Sequence, residues 1–454
     1  MIETSLPNNS KRQKWTPYQK YIIFLLLTVY MFNFIDRQII AILSPLIKDD
    51  LGLSDTELGL LKGVAFALFY AIFGFPIAKW ADKGNRAGII SLAVTFWSGM
   101  TILCGMSQNF IQLLLARMGV GVGEAGCSPP AHSLISDYFP REQRATVLGL
   151  YSLGISFGSL FGILLGGLIA DKFGWRWAFI IVGTPGILLG LIVKLTLKEP
   201  ERGAMETPEV RAAMLRAKES GAVKAAPSLS DALAIMWKIK SYRILTLSAG
   251  LTAFCGYALG LWIVDFLVRS HELSYAELTL PLALSIGVGG GIGTLCGGFI
   301  TDFFGNKDDA SYFTIPAYGH LISVPLFLLA IWTGSPYFCL GVFFFVFLLH
   351  ASVAGPYYGL VQNLAPLHMR AFASALFFFV LSILGVGFGP FVVGVFSDLL
   401  APALGEADAL RWTLTGLAPV WVLASVIMLW GRKALRADLA EIVLKTNQDT
   451  VQAF

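Results

Sequence analysis

Apolar positions in this chain neither alternate nor keep to one helix face. They run on for twenty residues or more and stop at clusters of charge. Such runs fall near 17–43, 56–81, 87–107, 109–137, 143–171, 175–197, 240–268, 276–303, 311–333, 336–365, 370–400 and 407–431. About 20 mostly apolar residues cross a bilayer as a helix, and backbone in lipid must pair within its own segment. The pattern therefore predicts an all-α membrane protein with twelve transmembrane helices.

Composition agrees: 56% of the 454 residues are hydrophobic, only 14% are charged, and the mean hydropathy is +0.70. A soluble domain is excluded. The basic leader SKRQKWTPYQK precedes a first run too long for a signal peptide and without a small-residue cleavage site, so that run is expected to be retained. With the N terminus inside, about 25 of the 33 basic residues fall in cytoplasmic segments, about 6 outside, and Arg37 and Arg117 within spans. Both termini are expected in the cytoplasm and the protein in the cell (inner) membrane. The net charge of +4 reflects this loop bias and calls for no nucleic-acid partner.

The halves repeat one another. AKWADKGNR follows the second run and GFITDFFGNK the eighth, placing Asp82 opposite Asp302 (302 − 82 = 220). PREQRA after the fourth and PLHMRA after the tenth align Arg144 with Arg370 (370 − 144 = 226), and GLIAD and GVFSD align Asp171 with Asp398 (398 − 171 = 227). Three ordered matches imply a duplication. The expected domains are an N-terminal six-helix bundle over 1–197, a linker over 198–238 with room for a short amphipathic helix, a C-terminal bundle over 239–432 and a tail over 433–454. Six spans return the chain to its starting side, so the bundles are related by an axis along the membrane normal and enclose a central cavity suited to alternating access. Glycines every fourth residue (Gly154, Gly158, Gly162, Gly166, and Gly289, Gly293, Gly297) give two helices smooth faces. One reading of these faces is tight packing; the added one is that they meet across the halves and slide or rock.

Candidate chemistry comes from charge where charge is expensive. MFNFIDRQII puts Asp36 and Arg37 inside the first run, at about 2.5–3.5 kcal/mol each on insertion scales. Arg117 and Glu124 are two helical turns apart, on one face of the fourth run and about 10 Å apart along it. One outcome is a pair of internal ion bridges, Asp36 with Arg117 or Arg37 with Glu124, that only hold two helices together; buried pairs add little net stability. The other makes Asp36 and Glu124 proton-linked groups and Arg37 and Arg117 anion-binding groups. An anion that occupies an arginine leaves the carboxylate without its counter-ion, and a buried carboxylate without one takes up a proton.

The C-terminal half offers few buried charges, Asp265 and Arg269 among them, and many aromatics, including Phe254, Tyr257, Trp262, Tyr357, Tyr358 and the FFF at 377–379. Tyr257, Trp262 and Tyr357 are candidate substrate contacts. A charged wall facing an apolar wall fits a small amphipathic anion. There is no GxxxxGK[ST], HExxH or CxxC, and SIGVGGGIGTLCGG holds no complete GxGxxG. Neither an enzyme nor a cofactor or metal site is predicted. NNS at 8–10 matches a glycosylation sequon on the tail expected inside the cell.

These motifs resemble the major facilitator superfamily, whose members carry Gly-x-x-x-Asp-Arg-x-Gly-Arg between spans two and three and between eight and nine. GFITDFFGNK follows that pattern; AKWADKGNR has Ala78 and Asn85 where glycines are usual. The resemblance covers essentially the whole chain, including GWRWAF at 174–179. Within the superfamily the N-terminal half is similar to the spinster family, through NFIDR (33–37), DKGNR (82–86), FWS (96–98), RMGVGVGEA (117–125), LISDYFPREQR (134–144) and TPG (184–186). Short loops and termini look bacterial.

The resemblance implies the major facilitator fold, twelve transmembrane helices in two pseudo-symmetric six-helix bundles, and secondary active transport by alternating access, driven by protons, of a lipid-like organic anion. It also implies a gating latch of Asp82, Arg86 and Asp137 at the cytoplasmic helix ends, touching span eleven, with Arg144, Asp302 and Arg370 nearby. Partners are then the substrate, protons and membrane lipids, and the working unit a monomer. The alternatives are a transporter of a small soluble organic anion or drug, and a non-transporting membrane sensor.

Overall fold

The computed structural model describes residues 14–205, 229–305, 307–365 and 369–452. The sequon at 8–10, the start of the basic leader and most of the expected linker lie outside these residues. Twelve helices are long and apolar enough to cross a membrane: Pro17–Leu51, Asp55–Lys83, Arg86–Met106, Phe110–Tyr138, Thr146–Phe173, Trp175–Thr196, Lys240–His271, Tyr275–Gly305, Ser311–Trp332, Pro336–Leu364, Phe372–Leu404 and Glu406–Ile442, here spans 1 to 12. They form two six-helix bundles. The face carrying the start of span 1 and the end of span 12 is called the terminal face, the opposite one the distal face.

Local chemistry sets the ends. Thr16 and Gln19 form a capping box ahead of Pro17, and span 1 stops at Gly52 with φ 63°, a left-handed conformation that glycine adopts without strain. Spans 2 and 8 open on matching capping boxes, Ser54 with Glu57 and Ser274 with Glu277, at the duplication's offset (274 − 54 = 220). Both then pass through a π-helical turn, Leu60–Val64 and Leu284–Gly289. Span 11 carries a third such turn at Ser382–Phe388. Such turns often mark functional positions.

The glycine stripes pack tightly, but within each half and not across the halves. A Cβ on Gly158 would stand 2.5 Å from the Met31 carbonyl, and one on Gly162 3.0 Å from Ile35, so the span 5 stripe lies on span 1 of its own half. Gly289, Gly293 and Gly297 face Phe344, Leu348 and Ser352 of span 10, again within one half. Close backbone approach there welds each bundle together. The halves meet on other faces of spans 5 and 8, through Leu160 against Gly287 and Ser156 against Gly291.

The stretch expected as a tail continues span 12 as one helix, Leu417–Gln452. Leu435 is fully buried, Asp438 accepts from the Ser241 backbone N–H at 2.7 Å and its hydroxyl at 2.6 Å, and Arg436 pairs with Asp308 at 2.6 Å. A buried leucine and two polar anchors hold this polar extension against the start of span 7.

Candidate functional site

Spans 1 and 4 carry the central charges. Asp36, Arg117 and Glu124 are almost completely buried and Arg37 is half-buried. Arg37 Nε donates to Glu124 Oε2 at 2.7 Å. Arg117 Nη1 reaches the main-chain oxygen of Asp36 at 3.5 Å and not its carboxylate. Of the two bridges expected, one forms and the other does not. Around them Asp36 Oδ1, both side-chain atoms of Asn33, Arg117 Nε, Glu124 Oε1, Trp97 Nε1 and Ser98 Oγ are buried and make no well-formed hydrogen bond among the described residues, although Trp97 and Thr101 stand near Asp36 and Asn33 stands near Glu124. Buried polar atoms left so loosely paired are costly. Their concentration in one patch gives it capacity to accept a proton or bind polar groups of a ligand.

Arg37 sits 4.9, 5.0 and 5.0 Å from the ring centroids of Phe34, Phe66 and Tyr70, and Arg117 lies 5.5 Å from that of Phe66. Both guanidiniums are thus held by aromatic faces as well as by charge. From the other half the Tyr257 hydroxyl stands beside Arg37. Tyr358, 44% exposed, lies within electrostatic reach of Tyr257 and Tyr30. Arg37, Tyr30 and Tyr70 on one side and Tyr257 and Tyr358 on the other line a partly open space between the halves.

Two expected substrate contacts are elsewhere. Trp262 is fully buried, donates to the Pro390 carbonyl at 2.9 Å and lies under the Lys62 ammonium at 3.7 Å. Tyr357 is buried with its hydroxyl 3.2 Å from Met428 Sδ. Both are inward-turned positions of their helices, which aromatic content alone does not reveal. Tyr358, one residue on, faces the space instead.

The largest addition to the sequence picture is at the distal end. Lys62, within the π-turn of span 2, donates to Asp265 Oδ2 at 2.5 Å, and neither side chain is exposed. Ser44 Oγ donates to the same oxygen at 2.7 Å. Arg269 forks onto both oxygens of Asp55 at 2.7 and 2.8 Å, Ser397 Oγ adds 2.6 Å, and Lys48 bridges Asp55 and Glu406 at 2.9 and 2.7 Å. Asp398 accepts the backbone N–H groups of Asp55 and Thr56 at 3.0 and 2.7 Å. One half thus caps the helix N-terminus of the other, where negative charge is favoured. Sequence reasoning passed over Lys62, although a lysine in LLKGVAFALFYAIF carries the same signal as Arg37.

The distal seam is also tight in backbone. A Cβ on Gly59 would stand 2.7 Å from the Pro390 carbonyl, one on Gly63 2.8 Å from that of Val386, and Gly394 presses on Asp55. Nearer the terminal face the halves still touch at Phe75 and Phe379, whose ring centroids are 6.4 Å apart, but a Cβ on Gly74 or Gly359 would meet nothing within 4 Å. The ion pairs described between the halves, Lys62 with Asp265, Arg269 with Asp55 and Lys48 with Glu406, lie at the distal end, which is closed.

The expected latch residues divide accordingly. Arg86 is fully buried and pairs with Asp137 at 2.5 Å and Glu199 at 2.6 Å, while Gly203 N–H donates to Asp137 at 2.9 Å. Asp82 is exposed and makes no hydrogen bond or ion pair among those described. Arg144 donates to the carbonyls of Ser136 and Phe139 at 2.7 and 3.2 Å, closing the end of span 4. Asp302 accepts from Tyr312 at 3.0 Å, and Arg370 Nε is buried without a hydrogen-bond partner among the described residues. Arg86 and Asp137 therefore hold the N-terminal half together here, and these contacts do not reach span 11.

Comparison with known proteins defines the class. Residues 26–390 match the Major Facilitator Superfamily, and the chain belongs to that family. It is a membrane transporter and not an enzyme. More particularly, it is similar to an MFS-type efflux pump of Mycolicibacterium smegmatis, 31% identical over 90% of this chain and 91% of the relative. It is also similar to the sphingosine-1-phosphate transporter SPNS2 of Danio rerio, 26% identical over 85% and 77%. Among solved structures it matches a bacterial homologue of the human lysosomal transporter spinster, in an inward-facing, unoccupied conformation, with TM-score 0.81, 31% identity and 94% and 99% coverage. The spinster resemblance seen in NFIDR and RMGVGVGEA thus extends to the whole fold.

Proposed function

We propose that this protein is a secondary active transporter that moves an amphipathic or lipid-like organic anion by alternating access, coupled to protons and working as a monomer. The supporting observation is the Arg37–Glu124 pair, which sits against the space between the halves with the Tyr257 hydroxyl beside it. An anionic head group takes Arg37, Glu124 loses its counter-ion and picks up a proton, and the two events become one. Asp36 and Arg117, behind them, form the second proton-linked and anion-binding pair. In this proposal the terminal face is cytoplasmic, on the loop-charge bias, the membrane is the cell membrane, and Arg86, Asp137 and Arg144 brace the cytoplasmic side.

The withdrawal of Trp262 and Tyr357 from the cavity favours a second substrate class. The apolar wall is smaller than the sequence suggests, which suits a small organic anion or drug, in keeping with the efflux pump among the relatives. One experiment separates the two. Purified protein in liposomes holding a pH-sensitive dye is challenged with lysolipids, sphingoid phosphates, fatty acids and small organic anions. Proton flux evoked by one class and lost in Glu124→Gln supports coupling and names the class. Flux of an anion without proton movement would sink the coupling.

A further inference from the structure

The distal charges are arranged unequally between the halves. Span 2 and span 1 contribute Lys62, Lys48 and Asp55; spans 7, 11 and 12 contribute Asp265, Arg269, Asp398 and Glu406. Alternating access requires this seam to open and the two sets to part. Asp55 then keeps Lys48, 2.9 Å away in its own half. Asp265 keeps Arg269, 3.5 Å away and one turn along the same helix. Lys62 keeps no carboxylate within ion-pair distance: its partner there is Asp265, which leaves with the other half, while Asp55, about two turns back on its own span and bonded to Lys48, acts on it only electrostatically.

Position adds the second part. Phe66, one turn or about 6 Å along span 2 from Lys62, lies beneath both Arg37 and Arg117. The ammonium thus stands at the distal end of a short cationic ladder leading to the central site. Trp262, from the opposite half, covers it at 3.7 Å in the closed seam and would be withdrawn with Asp265.

We infer that Lys62 is the anion-receiving group of the distally open transporter: the head group of an anionic amphiphile takes at Lys62 the place that Asp265 holds when the seam is closed. From there it passes along span 2 to Arg37 and Arg117. Asp265 is the built-in competitor that displaces the anion toward the central site as the seam recloses. The inference rests on the proposed anionic substrate, and it gives Lys62 a sided role that a structural ion pair does not have.

The test uses full-length protein in proteoliposomes of fixed orientation and fluorescent lysophosphatidylglycerol as the probe, with half-saturation measured separately from each face. Asp265→Asn keeps the cation and removes its competitor; Lys62→Gln with Asp265→Asn removes both charges and strands neither. The double variant is expected to raise the distal half-saturation concentration by about tenfold, the worth of one charge-assisted contact, with the terminal value unchanged. Asp265→Asn alone is expected to match or better the wild type distally. Should the double variant not fold, Lys62→Met with Asp265→Leu makes the same comparison.

Equal distal behaviour of the single and double variants, equal loss at both faces, or no loss in the double variant would overturn the inference. Arg37→Gln separates this from the parent reading. Loss of transport in Arg37→Gln with a silent double variant would retain the anion site and discard Lys62. Absence of saturable wild-type flux of the anionic probe, with uptake of its zwitterionic choline analogue, would discard both.

Discussion

Lys62 and Asp265 meet at 2.5 Å across the seam between the two bundles, with neither side chain exposed to solvent. They come from different halves of a duplicated chain, so the contact exists only while the distal end is closed. Its energetics decide how readily the molecule changes state.

Removing one member should be far worse than removing both. Asp265→Ala leaves the buried Lys62 ammonium without its carboxylate and is expected to cost about 3–5 kcal/mol, whereas Lys62→Met with Asp265→Leu should be close to neutral or stabilising. Unfolding of the detergent-solubilised variants by heat and denaturant measures the difference. Equal destabilisation by both would mean that packing, and not charge, dominates the site.

Asp398→Ala should loosen the distal seam. It deletes the acceptor of two backbone N–H groups at the start of span 2, worth about 1.5–3 kcal/mol each for a charged acceptor. Spin labels at Asp49 and Leu404, on opposite halves, should show a longer distance distribution in the variant. An unchanged distribution would place the seam's strength in the ion pairs alone.

Gly59→Val should oppose closure sterically. Its Cβ would sit 2.7 Å from the Pro390 carbonyl of span 11, an approach that neither backbone can relieve without moving apart. The terminal-open population falls, and a cysteine at Tyr358, 44% exposed in the present state, should react more slowly with a maleimide applied from the terminal face.

Charge alone should not suffice at Arg37. The guanidinium combines a bond to Glu124 with three ring faces, a geometry that an ammonium on a flexible stem does not reproduce. Arg37→Lys is expected to weaken binding of an anionic ligand by about tenfold, for a loss of roughly 1.4 kcal/mol. Calorimetric titration would reveal it, and full retention of affinity would reduce Arg37 to a point charge.

The helical extension of span 12 should detach in acid. Asp308 lies between spans 8 and 9, and its hydrogen bonds from Arg436, then from the Ala310 N–H, hold its carboxyl below the ordinary range. A carboxylate depressed in the folded state contributes stability above its unfolded pKa, about 3.9 for Asp, and loses it as pH falls through the lower folded value. Amide exchange in residues 433–442 should therefore quicken below about pH 4, and in Asp308→Asn it should be fast at neutral pH as well. No pH response would assign the anchoring to the buried Leu435.

What the sequence determined by itself is what depends on neighbours along the chain. Span number and length follow from the cost of putting polar backbone and side chains in lipid, which each segment meets alone. The duplication was legible in Asp82 and Asp302, and the structure adds the repeated capping boxes Ser54–Glu57 and Ser274–Glu277, which the sequence reading passed over although helix starts are local chemistry. The burden of charge in NFIDR and RMGVGVGE was legible for the same reason, and Lys62 would have been by the same arithmetic. Tertiary structure decided partnership. Whether Arg117 meets the carboxylate or the carbonyl of Asp36, whether a glycine stripe faces its own half or the other, and whether Trp262 or Tyr358 sees the cavity depend on rotations of packed helices that hydropathy does not encode. The ring of charge closing the distal end depends further on which of two arrangements the halves adopt, because its partners lie more than 200 residues apart in the chain and are neighbours only in that state.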